Sequence, residues 1–390
     1  MLALLTLAAL SASPTFYRDV LPILQDHCQE CHRAGEMGPM ALTTYRETRP
    51  WAAAIRDAVA THKMPPWFAD PCCGKFANER FLTAAERDVL MKWTGVEGDP
   101  KTAPAPRVWA QGWNIPTPDL VIAMPAAFAV PEKGAVEYQY FAVPTGFAED
   151  RWVTATEVAP GNRGVVHHVV VYIRERGSAW TKGPTKSDIL GIYTPGASPE
   201  VLPQGMAKLV PAGSDLVFEI HYTPNGKRSI DRTRIGLTLS SAPPEKRVLT
   251  LQLNKTDFRI PPGARDYRIT VWGTLPNDAL LLSMLPHMHL RGKSFEYSRF
   301  RDDGQPDILL RVPAYDFYWQ LSYRLATPLL LKKGTRLECS AVFDNSTRNL
   351  RNPDPTVEVG YGQQSWEEMM VGFFDVAVDP HFDKNVFFVR

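Results

Sequence analysis

Nine histidines and five cysteines are spread over 390 residues, and most of them fall into four short motifs. Cys28-Gln29-Glu30-Cys31-His32 has C-x-x-C-H spacing. Two thiols spaced in this way form thioethers with the vinyl groups of one haem, and the imidazole that follows reaches the iron. The motif therefore predicts one covalently bound haem c, anchored by Cys28 and Cys31 with His32 as an axial ligand. A redox dithiol or half of a zinc site would use the same cysteines, and zinc would need further ligands such as Cys72 and Cys73. The second axial ligand is sought among Met37, Met40 and Met64. Met64 is preferred: it lies in His62-Lys63-Met64-Pro65-Pro66-Trp67, where the prolines stop the preceding helix and hold the chain extended. Met37 and Met40 would line the pocket, and His27 and His62 would sit at the surface or the haem edge.

Five further histidines occupy three apolar settings: Val165-Val166-His167-His168-Val169, Phe218-Glu219-Ile220-His221-Tyr222 and Pro286-His287-Met288-His289-Leu290. Side chains alternate along a strand, so His-x-His places both imidazoles on one face, a ready chelate for copper or zinc. Adjacent histidines point to opposite faces of a regular strand. His167 and His168 can share a metal only where the strand bulges or twists. Taken singly, each of these histidines reads as a hydrogen-bonded core or edge residue. Five of them in three strand-like motifs point to metal ligation.

The elements that must position these residues fall into zones. Helical spacing of apolar residues runs through 15–29, 51–61 and 83–93, and the last of these opens with a capping-box pair, Thr83 and Glu86. Residues 99–106 (DPKTAPAP) read as a proline-rich linker. After about residue 112 the apolar period becomes that of strands: 216–221, 235–239, 267–272, 280–285 and 357–359 are short β-rich runs punctuated by Pro, Gly, Asn and Asp. The stretch from there to the C-terminus is long for one sandwich, and 241–246 (SAPPEK) reads as a seam between two. The expected organisation is a signal peptide over 1–13, a c-type cytochrome domain over 14–98 and a linker over 99–112. Two β-sandwiches, 113–245 and 246–390, complete it.

Composition narrows the function. With 43 basic and 42 acidic residues the net charge is +1, so nothing marks a nucleic-acid binder. Proline, at 34 residues, disfavours a mostly helical chain. Five cysteines are too few for a disulfide-rich scaffold. The apolar start, MLALLTLAALSA, has signal-peptide length but no preceding Lys or Arg. No later apolar run reaches membrane-spanning length. Export to a bacterial periplasm, as a soluble or peripheral protein, is the expectation.

Two resemblances are carried by these motifs. Residues 16–98 resemble a class of small c-type cytochrome domain: an F-x-x-x-V-x-P-I-L run from Phe16 to Leu24 before C-x-x-C-H, then Met64-Pro65-Pro66-Trp67, then G-x-F-x-N-x-R-x-L-x-x-x-E from Gly74 to Glu86, then Trp93 and Gly95. The pair Cys72-Cys73 departs from that pattern. Residues 115–390 resemble the copper type II ascorbate-dependent monooxygenases, the family of peptidylglycine α-hydroxylating and dopamine β-monooxygenase, in the order HH, E-I-H-Y, H-M-H and E-E-M.

The second resemblance implies two jelly-roll-like sandwiches carrying two copper ions. It implies an electron-transfer copper on His167, His168 and His221, and an oxygen-binding copper on His287, His289 and Met369. Met369 is chosen over Met370 because the ligand directly follows the acidic pair. The implied enzyme is a non-coupled dicopper monooxygenase that hydroxylates an activated C–H bond of a small molecule or peptide with O2. The fused haem would take electrons from an external donor in place of ascorbate. The remaining alternatives are a haem and copper electron-transfer or copper-binding protein without hydroxylase activity, and a binding module whose histidines are structural. Unlike the animal enzymes, the chain has few cysteines beyond the haem pair: only Cys72, Cys73 and Cys339. His381 has no role in this scheme.

Overall fold

The computed structural model describes residues 13–109, 112–178, 189–196, 198–301 and 303–389. The signal-like segment therefore lies outside the described residues, except for residue 13. Strand accounts for 38% of the chain and helix for 12%, so this is a β protein with a minor helical part. Two compact units are present. The first comprises residues 1–67 and 80–109, and the second 68–79 and 110–390.

The first unit corrects the sequence reading. An all-α cytochrome c-like domain over 14–98 was expected, but among the described residues there is no large all-α domain. The helices do form where the apolar period placed them, but they are short. A π-turn at Phe16–Val20 runs into Leu21–His27, and Ala52–Ala60 and Ala84–Lys92 follow. None exceeds nine residues. Irregular chain separates them, because Pro39, Pro65, Pro66 and Pro71 remove backbone donors and fix φ. The Thr83–Glu86 capping box is formed in full, with the Thr83 hydroxyl accepting from the Glu86 N–H and the Glu86 carboxylate accepting from the Thr83 N–H. Phe16, Val20, Leu24, Leu42, Val59, Leu90 and Trp93 bury together as this unit's core.

Residues 68–79 are the second part of the correction. They were assigned to the cytochrome zone, yet they pack with the β unit as an edge strap. The Ala77 N–H donates to the Arg324 carbonyl and the Ala326 N–H to the Lys75 carbonyl. Asn78 donates to the Ser322 carbonyl and accepts from the Arg324 N–H. Phe76 bridges antiparallel to Leu325 and lies edge-on to Tyr323. The strap thus covers part of Tyr323–Leu331, the terminal strand of the largest sheet, whose backbone groups would otherwise be open to another chain. Cys72 and Cys73 form a vicinal disulfide within the strap.

The second unit is built on one long sheet. Its order is Leu120–Ala123, Arg234–Leu239, Arg151–Ala159, Met206–Val210, Lys246–Lys255, Met370–Val378, Ala279–His287 and Tyr323–Leu331. Met206–Val210 and Lys246–Lys255 pair in parallel, which makes the sheet continuous across residue 245. Two four-stranded antiparallel sheets accompany it. One contains Gln139–Pro144, Asp215–Tyr222, Val166–Arg174 and Ile189–Tyr193, and the other contains Tyr267–Thr274, Arg336–Phe343, Gly292–Phe300 and Pro306–Val312.

Alternation decides what the Val166–Arg174 and Asp215–Tyr222 strands bury. Val169, Val171 and Ile173, with Leu216, Phe218, Ile220 and Tyr222, join the main core together with Val153, Val158, Ile235 and Leu237. The opposite face carries Tyr172 and Val217, which pack with Leu285, Met369, Val371 and Phe373 from the C-terminal half. This four-stranded sheet is therefore buried on both sides, and its second face looks toward Met369 and the strand that ends at His287. Among the described residues no helix is long and apolar enough to cross a membrane.

Candidate metal centre

His168 and His221 face each other across the Val166–Arg174 and Asp215–Tyr222 strands and are register partners. The pairing steps from Val166↔Tyr222 to His168↔His221, so His167 is the extra residue of a β-bulge. The bulge turns His167 toward the same side as His168. The ligating atoms of His167, His168 and His221 lie within 4.8 Å of one another, and all three side chains are buried. The bulge supplies what two adjacent histidines need in order to converge.

These imidazoles are held as neutral donors. Burial, reinforced by the neighbouring histidines, pushes His167 and His168 well below the usual histidine range and His221 down to about 4. His167 Nε2 and His221 Nδ1 are buried with no hydrogen-bond partner. A buried polar atom of this kind costs free energy unless something ligates it. His167 Nδ1 lies 3.0 Å from His168 Nδ1. Tyr138 stacks on His221 with ring centroids 4.8 Å apart, and Phe317 stacks on His167 at the same separation.

The second set sits where the Ala279–His287 strand ends. His287 closes the strand and His289 lies in the turn beyond it, with ring centroids 5.2 Å apart. The His287 Nδ1–H donates to Gln320 Oε1 at 2.7 Å and the His289 Nδ1–H to the Glu367 carbonyl at 3.2 Å. Both bonds fix the tautomer that leaves Nε2 free to coordinate. His289 Nε2 is buried without a partner. Burial lowers the affinity of both rings for protons, more strongly at His289, so both are neutral donors. Met369, buried just before the Met370–Val378 strand, lines one cavity with His168, His287 and His289. Met370 is buried in strand pairing opposite Lys255 and does not line that cavity. The ring centroids of His168 and His287 are 6.3 Å apart.

Other residues of the centre escaped the sequence reading. Phe317 touches both sets, stacking on His167 and approaching His289 edge-on. It shares with Gln320 a loop between strands that has no periodicity to mark it. Glu219, two residues before His221 and on the same face, accepts from the Tyr172 hydroxyl at 3.3 Å and lines the cavity with Tyr138 and Tyr140. Glu368 is fully buried, and burial pushes its carboxyl up to about 8. Glu219 and Glu368 both lie inside the motifs that carry the histidines and Met369, so a signal existed without a role attached to it.

In the first unit Cys28 caps the Leu21–His27 helix, and the Cys31 and His32 N–H groups both donate to its carbonyl. Both thiols are free, pushed by burial up to about 12 and about 11. His32 Nδ1 donates to the Met40 carbonyl at 3.2 Å, which leaves Nε2 for an axial bond. Gly38 is required at this turn: a Cβ there would stand 2.7 Å from His32 Nδ1. Met64 is half-buried, and its N–H donates to the Ala58 carbonyl. His27 pairs with Glu86 and exposed His62 with Arg87, while His381 is exposed near the C-terminus. Cys339 is a buried free thiol.

No protein-family model and no curated protein matches this sequence. Similar solved structures include the infectious bursal disease virus Gx strain, at 7% identity over 74% of this chain and 78% of that one, with a TM-score of 0.19. A putative secreted protein from Parabacteroides distasonis matches at 10% identity over 66% and 89%, with a TM-score of 0.16. The coconut allergen cocosin matches at 7% over 67% and 84%, with a TM-score of 0.13. Scores this low carry no argument about fold or function.

Proposed function

We propose that the chain is a copper-dependent monooxygenase that inserts one oxygen atom of O2 into an activated C–H bond, the other leaving as water with two protons and two electrons from an external donor. The observation that carries this reading is the meeting of two donor sets in one β unit. His167, His168 and His221 converge through a bulge, and His287, His289 and Met369 share a cavity wall with His168. The residues suit copper: neutral imidazoles with unpartnered buried nitrogens, and on one set a soft thioether that zinc does not require. His167, His168 and His221 would hold one ion, and His287, His289 and Met369 the other. Cys28, Cys31, His32 and Met64 would hold haem c.

When bound, the coppers supply O2 activation and the haem one-electron delivery from an external donor. The chain's own side chains do the rest. Gln320 and the Glu367 carbonyl orient His287 and His289, Phe317 and Tyr138 wall the first set, and apolar Leu285 and Phe373 help to keep the cavity dry. The substrate is a small molecule or peptide that enters this cavity. Covalent haem attachment at Cys28 and Cys31 is the reason to propose maturation outside the cytoplasm, in a bacterial periplasm.

The test uses protein matured in a periplasm and loaded with copper. O2 uptake is measured against amidated-peptide precursors and aromatic amines. Substrate-dependent uptake is expected in the wild type. Met369→Ala should abolish it and leave the haem spectrum intact. Full copper and haem with no substrate-dependent uptake would make the chain an electron-transfer protein instead.

A further inference from the structure

We propose that Glu368 is a positioning residue that locks together the two chain segments bearing the second donor set, and so sets that set's affinity for its metal. The inference rests on the dicopper reading above and goes beyond it, because Glu368 is no ligand in that scheme. Its carboxyl group is completely buried. Oε2 accepts from the N–H of His289 at 2.9 Å and of Met369 at 3.3 Å, and Oε1 accepts from the N–H of Arg291 at 2.6 Å. Two of these three donors belong to residues of the second donor set. They come from different elements, the turn after Ala279–His287 and the residue preceding Met370–Val378. One side chain therefore fixes the distance between the imidazole-bearing turn and the thioether-bearing residue that precedes the Met370–Val378 strand.

The neighbours make the same tie from the other side. The Glu367 carbonyl holds His289 Nδ1, and the guanidinium of Arg291, itself buried, reaches Asn345 Oδ1 at 2.8 Å and the Trp366 carbonyl at 2.8 Å. The choice of side chain also follows from chemistry. Three converging N–H groups are met by the two oxygens of the Glu368 carboxyl group, one on Oε1 and two on Oε2. A glutamine of equal size would set an NH2 group against one of those N–H donors. A purely structural brace had no need to converge on both ligand-bearing segments.

Copper-loaded Glu368→Gln protein is compared with wild type by three measurements: Cu(I) affinity against a chromogenic Cu(I) chelator, sulfur scattering at the copper K-edge, and thermal midpoint. The expected result is a 10–100-fold loss of affinity for one of the two copper ions, with the copper–sulfur signal reduced and the other ion bound as in wild type. If Glu368→Gln does not fold, Glu368→Asp keeps the charge but shortens the reach, and the same selective loss is expected. Two copper ions bound with wild-type affinity and sulfur signal, in a variant whose thermal midpoint alone has fallen, would make Glu368 a fold brace and overturn the proposal. A wild-type chain that binds fewer than two copper ions would instead overturn the dicopper reading on which the proposal rests.

Discussion

Acidifying the metal-free protein should destabilise the β unit through its buried histidines, and His221 allows the size to be worked out. Burial holds His221 at about 4, whereas an unfolded histidine titrates near 6.5. Between those values the unfolded chain binds a proton that the native chain refuses, so stability rises with pH there. The contribution is complete above about pH 6.5 and is lost as pH falls toward 4. A gap of about 2.5 pH units at about 1.4 kcal/mol per unit amounts to about 3.5 kcal/mol from this residue. His167, His168, His287 and His289 act in the same direction. Glu368 acts in the opposite direction, because its raised carboxyl, at about 8, binds a proton in the native state first. Comparison with His221→Gln isolates this ring together with its effect on the neighbouring His167, His168 and His289. The assay is urea unfolding of chelator-treated wild type and variant, followed by tryptophan fluorescence, at several pH values from 7 to 4. The plot of unfolding free energy against pH should be shallower for the variant by up to about 1.4 kcal/mol per pH unit in that window. Parallel plots would refute the claim that His221 is held neutral by its burial.

Gln320→Leu removes the acceptor that orients His287, so affinity for the second copper should fall 10–100-fold in a chelator competition, and unchanged affinity would show that the bond at 2.7 Å orients nothing. Asn78→Ala should unhook the strap from the Ser322–Arg324 backbone at about 1 kcal/mol per hydrogen bond. Amide exchange at Ala77 and Ala326 should then speed up while that of the Val166–Arg174 strand does not; unchanged exchange at both would show that Asn78 does not hold the strap.

Much of the candidate centre was legible because ligand chemistry is written in residue type and spacing. His-x-His and the acidic pair before Met369 are short-range patterns, whereas His168 and His221 share a face only through the register in which the Val166–Arg174 and Asp215–Tyr222 strands pair. The bulge at His167 could be stated only as a requirement, since no residue in Val165-Val166-His167-His168 announces it; it is set by the pairing with Tyr222 and His221 across the sheet. Gln320 and Phe317 were illegible for a related reason, as a loop without period shows its contacts only once two strands far apart in sequence have paired. The helical zone was misjudged at the level of the domain. The Thr83–Glu86 box marked a real helix start, but short-range signals cannot show that 68–79 finds its backbone partners at Arg311, Ser322 and Arg324 in the β unit. The seam read at 241–246 is also crossed by backbone pairing, since Lys246 and Arg247 pair in parallel with Met206 and Ala207.

The claim that the two donor sets hold a pair of copper ions, one of them through Met369, is tested most directly by copper K-edge absorption on the Cu(I)-loaded chain together with metal analysis. The account predicts two copper ions per chain, histidine nitrogen scattering throughout, and one sulfur for every two coppers that disappears in Met369→Leu. A single copper, or two with no sulfur in the wild type, would contradict it.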